Sequence, residues 1–359
     1  MKILMLANHL NRGGITAYML GLCRMFERER DIEVYVATRG GDMEAEFSRL
    51  GVKHITVPLK TKCEVSPKLL FSFLKLIRLT SEDIDLIHAH TRVTQVLAAL
   101  LSFFSGKPYI STCHGFFKKR FFRRIMPCWG KKVIAVSDQV AAHLARDFHL
   151  ERGRIVVIYN GVDVGRFVLT ASKKQDLGMN LKKKIIGHIG RLSSVKGQKY
   201  LILAASHLLK KRKDIQFLII GDGKEEDRLK ALIHDHALEK DVILHPSVDD
   251  TAQALAIMDI FAMPSLQEGL GISILEAQAS GVAVVASRVG GIPDVIEDGQ
   301  TGLLCEPGNP VSLADALERL LDNNDLRVSL STRARSRVKE KFSLERMAGE
   351  TEALYKTFQ

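Results

Sequence analysis

The chain is 359 residues long, 46% hydrophobic and 26% charged, the make-up of a folded globular protein rather than of a disordered or fibrous one. That length predicts two domains, because single cores stop growing near about 250–300 residues. The formal net charge of +11 is one-sided: residues 1–170 hold 26 Lys and Arg against 15 Asp and Glu, whereas residues 171–359 hold 26 of each.

Short aliphatic runs alternate with amphipathic segments from the start of the chain, the pattern of βαβ units around a parallel sheet. The predicted strands are Lys2–Ala7, Glu33–Ala37, His54–Val57, Leu86–His88, Tyr109–Thr112, Val133–Val136 and Val156–Tyr159. Between Arg166 and Lys184 the periodicity fades into a Lys-containing polar stretch, so residues 1–168 read as one doubly wound, Rossmann-like lobe and 169–184 as a linker. The alternation then restarts at Ile185–Ile189, Gln216–Ile220, Val242–Leu244, Ile260–Met263, Val282–Ala286 and Gly302–Leu304, a second doubly wound lobe over 185–340. The tail, 341–359, places Met347, Leu354, Tyr355 and Phe358 at near-helical spacing, so it has an apolar face to bury. Ligands of open α/β sheets bind beyond the carboxyl ends of the strands, and two such lobes facing each other are expected to form one deep cleft.

Five cysteines, Cys23, Cys63, Cys113, Cys128 and Cys305, are odd in number and never spaced Cys-x-x-Cys, which argues against a disulfide framework or a zinc site and for a reducing compartment. The apolar run Ile3–Ala7 is too short for a secretory core, and the longest such run, Val96–Phe104, falls far short of the roughly 20 residues that span a bilayer. A cytoplasmic protein is expected, peripheral on the membrane if it meets one. The basic first half points to an anionic partner, whether nucleic acid, phospholipid surface or acidic small molecule.

Three loops carry candidate chemistry. Gly13-Gly14, between the first strand and a helix, lets bare N–H groups approach a phosphate, although an ordinary βα turn has the same composition. Arg191 and Lys196, in Gly190-Arg191-Leu192-Ser193-Ser194-Val195-Lys196-Gly197, lie just past a strand end, where a diphosphate would take a forked guanidinium contact and a point-charge ammonium contact. The bland alternative is two solvated cations. In Glu268-Gly269-Leu270-Gly271-Ile272-Ser273-Ile274-Leu275-Glu276 the amides of Leu270, Gly271 and Ile272 could face an anion, Glu268 could accept from sugar hydroxyls, and Glu276 could hold a ribose diol. Otherwise Glu268 caps a helix and Glu276 sits on its surface. Eight residues of helix would separate these carboxylates by about 12 Å, which argues against a glycosidase pair at about 5–9.5 Å.

Together with Asn160-Gly161-Val162-Asp163, Gly290-Gly291-Ile292-Pro293-Asp294 and Ala277-x-Ala279-x-Gly281-Val282, these motifs resemble family 4 of the retaining glycosyltransferases, over nearly the whole chain. The resemblance implies a GT-B fold whose last helix crosses back onto the first lobe, and transfer of a sugar from a nucleotide-diphosphate donor to a hydroxyl acceptor. It further implies Arg191 and Lys196 on the diphosphate, Glu268 on the donor sugar, Glu276 on the ribose, and Gly13, Gly14 and Gly190 at the phosphates. His114, in Ser111-Thr112-Cys113-His114-Gly115, matches the family's histidine near the donor sugar; by itself it reads as a satisfied histidine at a strand end. No cofactor or metal beyond the nucleotide sugar is expected, since no Asp-x-Asp motif occurs. Leu270, Gln278 and Ser280 stand where this family more often has Phe, Met and Cys or another small residue, changes that touch packing and substrate choice.

On the acceptor side, residues 116–132 combine seven cations with five aromatics and no acid. Lys118, Lys119, Arg120, Arg123 and Arg124 are expected at an anionic membrane surface or a lipid-linked or anionic glycan acceptor, as in cell-envelope polysaccharide synthesis. The alternative is a helix with its Phe side chains in a core and its cations in water. Two rival functions remain at this stage: a nucleotide-sugar epimerase on the same scaffold, and a non-catalytic nucleic-acid binder, which would leave Glu268, Glu276 and the glycine loops without a role.

Overall fold

The computed structural model describes residues 1–29, 31–59, 66–119, 121–167, 177–180 and 182–359. It divides into two compact units, Met1–Gly161 together with Leu344–Gln359, and Val162–Ser343.

The first unit runs β1 (Lys2–Leu6), α1 (Gly14–Glu29), β2 (Glu33–Thr38), α2 (Glu44–Arg49), β3 (Lys53–Thr56), α3 (Pro67–Asp83), β4 (Leu86–Ala89), α4 (Arg92–Ser105), β5 (Tyr109–Cys113), α5 (Phe121–Ile125), β6 (Val133–Ala135), α6 (Asp138–Phe148) and β7 (Ile155–Val157). Its sheet has the order β3-β2-β1-β4-β5-β6-β7, every neighbouring pair parallel. The second unit runs β8 (Lys184–Ile189), α7 (Gln198–Lys211), β9 (Ile215–Ile220), α8 (Glu226–Asp235), β10 (Val242–His245), α9 (Thr251–Leu255), β11 (Ile260–Met263), α10 (Ile272–Ala279), β12 (Ala283–Ser287), α11 (Ile292–Val295), β13 (Leu303–Cys305), α12 (Pro310–Asp322) and α13 (Asn324–Lys341), and α14 (Leu344–Lys356) returns the chain to the first unit. Its sheet, β10-β9-β8-β11-β12-β13, is also parallel throughout.

All the strands read from the sequence are present, with ends shifted by one or two residues. Strands covered on both faces must be apolar along their whole length, and β9 and β11 are buried at every position. Helices start where a side chain can take up orphan amides: Thr91 and Thr94 form a reciprocal capping box on α4, Ser137 caps α6, and Asn309 caps α12 just ahead of Pro310. In each sheet the strand order reverses at one place, between β1 and β4 and between β8 and β11, and that is where loops splay apart to leave room for a ligand.

The boundary between units differs from the expected one at residue 168. Val162 forms a parallel bridge with Ser343, and its N–H donates to the Phe342 carbonyl at 3.0 Å. These long-range bonds tie residues 162–167 to the second unit, whereas of the expected linker 169–184, residues 169–176 and 181 lie outside the described ones. Cys23, Cys113 and Cys305 are free thiols, and Cys63 lies outside the described residues. Among the described residues no helix is long and apolar enough to cross a membrane.

The apolar face of the tail finds its partner in the first unit. Met347, Leu354 and Tyr355 of α14 are buried in the core that contains Tyr18, Leu22 and Phe26 of α1, with Phe358 packed against its edge.

Candidate functional site

In the second unit the loop after β8 and the loop after β11, which flank the switch point, are bonded to each other: the Leu266 N–H donates to the Val195 carbonyl at 2.8 Å. Gly197 makes this approach possible, since it has φ +70° and a Cβ there would lie 2.0 Å from the Pro264 carbonyl oxygen, well inside contact distance. The result is a direct ion pair between Lys196 Nζ and Glu268 Oε2. Both side chains are mostly buried, whereas Arg191 is exposed. The Gly291 N–H holds the Glu268 carbonyl at 3.1 Å, so the Gly290-Gly291 motif supports the glutamate from behind.

Beneath this loop lies a polar relay within the core. His188, fully buried in β8, donates from Nδ1 to the Ala262 carbonyl (2.9 Å). Its Nε2 therefore accepts from the Gln198 amide (3.2 Å), whose nitrogen also donates to the Arg191 carbonyl (2.9 Å). Burial pushes the His188 pKa down to about 4, which keeps the ring neutral and the relay in this single arrangement. Arg191 is thus fixed at its backbone while its guanidinium stays in solvent.

Helix α10 begins at Ile272 behind Gly271, which has φ +98° and offers no side-chain cap. Its first amides are left for a ligand or water to satisfy, at the positive end of the helix. One turn in, Glu276 is partly buried. Burial pushes its carboxyl up to about 7, against the opposing influence of the Arg166 guanidinium and the Thr251 hydroxyl. Arg166 is itself paired with Asp250 at 3.1 Å. Leu270 is buried, Gln278 donates to the Thr301 carbonyl at 3.1 Å, and Ser280 donates to the Glu276 carbonyl at 2.9 Å. The three unusual residues therefore serve packing and the helix.

In the first unit, Gly13 and Gly14 are exposed at the head of α1. Their loop is pinned by the Arg12 N–H on Asp42 (3.0 Å) and by the Thr16 hydroxyl on the Asn11 carbonyl (2.7 Å). His114, just past β5, lies 3.2 Å from His90 Nδ1 through its Nε2, and the Tyr18 ring meets it edge-on at 5.0 Å. The His88 ring lies tilted against that of His90, their centres 4.1 Å apart, and bonds Tyr355 (2.6 Å) and Thr112 (2.7 Å). Burial drives His88 and His114 down to about 3 and His90 well below its ordinary value, with His114 adding to the effect on His88 and both His88 and His114 to that on His90. His114 is thus the outermost of three neutral histidines. Among the described residues no three His, Cys, Asp or Glu side chains gather as a metal-binding group.

The basic and aromatic stretch is only partly a surface. Arg123 is 4% exposed, its guanidinium 3.9 Å from the Phe117 ring centre, 4.8 Å from that of Trp129 and 5.7 Å from that of Phe148. Three aromatic rings surround this cation and offset part of the cost of burying it, so Arg123 is a core residue and not the outward-facing cation expected from the sequence. Lys118 and Lys119 are exposed, Lys119 paired with Asp147 at 3.1 Å. Arg120 and the side chain of Arg124 lie outside the described residues.

Sequence reasoning passed over His188, Gln198, His88 and His90. The available signal was a polar residue inside an otherwise apolar strand, Gly187-His188-Ile189 and Ile87-His88-Ala89-His90, since a buried imidazole must find partners.

The arrangement agrees with what the chain is similar to. The model of "Glycosyltransferase Family 4" matches residues 12–166 and that of "Glycosyl transferases group 1" matches residues 170–337. The chain is 30% identical to a D-inositol 3-phosphate glycosyltransferase of Corynebacterium jeikeium, over 97% of this chain and 91% of that protein. It is 24% identical to the capsular polysaccharide biosynthesis glycosyltransferase CapM of Staphylococcus aureus, over 93% of this chain and 92% of that one. Among solved structures, Anabaena HepE in complex with UDP and glucose superposes with a TM-score of 0.88, at 24% identity, covering 99% of this chain and 100% of that one. With two parallel-sheet units, the paired loops at the switch point of the second and a relative of this identity along almost its entire length, the chain belongs to the family 4 glycosyltransferases and has the GT-B fold.

Proposed function

We propose that the enzyme moves a sugar from a nucleoside-diphosphate donor to a hydroxyl of a lipid-linked or anionic glycan, with retention at the anomeric carbon and without a metal ion. The observation that carries this reading is the Lys196–Glu268 ion pair beside the uncapped start of α10. When the anomeric bond breaks, negative charge grows on the departing diphosphate, and fixed positive groups lower that barrier more than they stabilise the bound donor. Lys196 supplies the point charge and Arg191 a forked one, and the amides of Leu270, Gly271 and Ile272 add the helix end. Glu268 accepts from the sugar hydroxyls while holding Lys196 in place, and Glu276 accepts from the ribose diol. In the first unit, His114 serves the donor sugar and the Gly13-Gly14 loop a phosphate.

No side chain of this site is required as a covalent nucleophile. The leaving diphosphate takes the acceptor proton and the acceptor oxygen bonds the anomeric carbon on the face the diphosphate leaves. Nucleic acid has no part in this chemistry. The polysaccharide context draws support from the capsular relative, and a UDP donor from the superposed enzyme, whose complex holds UDP and glucose. The test is a panel of nucleotide sugars with a lipid-linked glycan acceptor in excess chelator, the product's anomeric configuration read by proton NMR. An axial donor giving an axial product in chelator is expected. An inverted product, or activity that returns only with added magnesium, would contradict the mechanism, and epimerised donor without glycosylated product would contradict the reaction.

A further inference from the structure

Helices α3 and α4 of the first unit carry an apolar face that none of the unit's described residues covers. Leu70, Phe71 and Leu74 of α3 and Leu100, Phe103 and Phe104 of α4 are all exposed, Phe71 at 65% and Phe103 at 82%. In each helix these three lie three or four residues apart or adjacent, and so form one side of it. The two sides are continuous, because the Phe73 ring of α3 meets Phe104 at 5.2 Å and Phe104 meets Phe103 at 5.1 Å. The opposite faces, through Leu69, Leu76, Val93, Val96, Leu97 and Leu101, are in the core. Six large exposed side chains in one patch exceed what scattered surface hydrophobics explain.

The charge around the patch selects its occupant. Over the two helices and the turn after them, residues 66–107 hold five Lys and Arg, Lys68, Lys75, Arg78, Arg92 and Lys107, against three acids, Glu82, Asp83 and Asp85. Each of those acids is engaged: Glu82 by Arg78, Asp83 by the Lys2 ammonium and Asp85 by the Lys2 amide. Lys68 and Lys75 stand exposed on α3 beside the phenylalanines. A second copy of the chain laid on this face would oppose cations to cations, whereas an anionic bilayer offers acyl chains to the rings and phosphates to the lysines.

We infer that the α3–α4 face is a membrane-docking surface, which seats the first unit on an anionic leaflet with Phe71 and Phe103 below the headgroups. This places the contact on a different element from the basic stretch at residues 116–132, whose Arg123 is turned into the core. The inference deepens the lipid-linked reading of the acceptor, but its test uses no sugar donor, so failure here leaves glycosyl transfer standing.

The experiment is co-sedimentation of the full chain with vesicles of phosphatidylcholine alone or mixed with phosphatidylglycerol. Wild type is expected to bind the mixed vesicles and to release as salt is raised. F71S/F103S, both on exposed side chains and checked for an unchanged melting curve, is expected to lose at least tenfold in partitioning. K68Q/K75Q is expected to lose severalfold, and K118Q/K119Q to stay close to wild type. Equal binding by F71S/F103S and wild type would overturn the inference. So would a wild-type protein that ignores both vesicles, including one that F71S/F103S converts from dimer to monomer in light scattering, which would assign the face to a second copy.

Discussion

At the residue scale Glu276 has two opposed properties. Its carboxyl titrates near 7 in the folded protein because it is partly buried, against about 4.3 in an unfolded chain. The native state therefore holds a proton that the unfolded state has lost between about pH 4.3 and 7, and the ionised carboxylate costs stability above that window. E276Q is expected to stabilise the enzyme at pH 8 by about 1–3 kcal/mol, a rise of roughly 2–4 °C in melting temperature per kcal/mol. Most of that gain should be gone at pH 5. In the role proposed for Glu276, the same substitution removes an acceptor for the ribose diol, so the donor KM should rise more than kcat falls. Equal melting shifts at pH 8 and pH 5, measured by calorimetry, would show that Glu276 is not held at a cost. A residue kept at the expense of stability is what a binding group looks like.

Elements explain what the sequence left unread. The strands and the glycine loops were legible because periodicity and turn residues are local signals, and so was the placing of Lys196 and Glu268 in those loops, with Glu276 one turn into the helix that follows. The His88–Tyr355 bond joins residues 267 positions apart, and no local pattern encodes such a pair. The spacing of Met347, Leu354 and Tyr355 did foretell an apolar face on α14, yet not that one of its residues would satisfy a strand histidine. Arg123 was misread for a related reason: a cation among aromatics has the same composition on a membrane-facing helix as in an aromatic cage, and only packing separates them. Y355F keeps the ring and deletes the hydroxyl, so it leaves a buried imidazole nitrogen unpaired at a cost of about 1–3 kcal/mol. Trp129, the one tryptophan of the chain, is buried in the first unit, and its fluorescence should report a melting midpoint lowered by several degrees. A Y355F protein as stable as wild type would mean that α14 is held by apolar packing alone.

For the whole molecule, the two units should respond to acid to different extents. In the first, His88 and His114, pushed down to about 3, and His90, held well below its ordinary value, stay neutral in the folded state, while the unfolded chain takes up protons below about 6.5. Stability present above that pH is lost as pH falls, by about 1.4 kcal/mol per histidine per pH unit. In the second, the stability that Glu276 gains between about pH 7 and 4.3 is largely offset by His188, which loses it between about pH 6.5 and 4. Trp129 fluorescence should therefore show the first unit melting progressively earlier between pH 7 and pH 5. A midpoint that does not move over that interval would mean the imidazoles reach solvent and titrate normally. The division at Gly161 and Val162 was illegible for the same reason as the buried pairs: a bridge to Ser343 sets it, not the composition of the residues that follow.

The central claim is that the loops after β8 and β11 hold a fixed positive charge against a departing diphosphate. K196A measures it most directly, as steady-state turnover of the donor identified from the nucleotide-sugar panel, on protein whose melting curve confirms that the second unit is folded. Removing one such contact typically costs about 2.7–4 kcal/mol, so kcat is expected to fall by about a hundredfold or more. Turnover within a few fold of wild type would contradict the account.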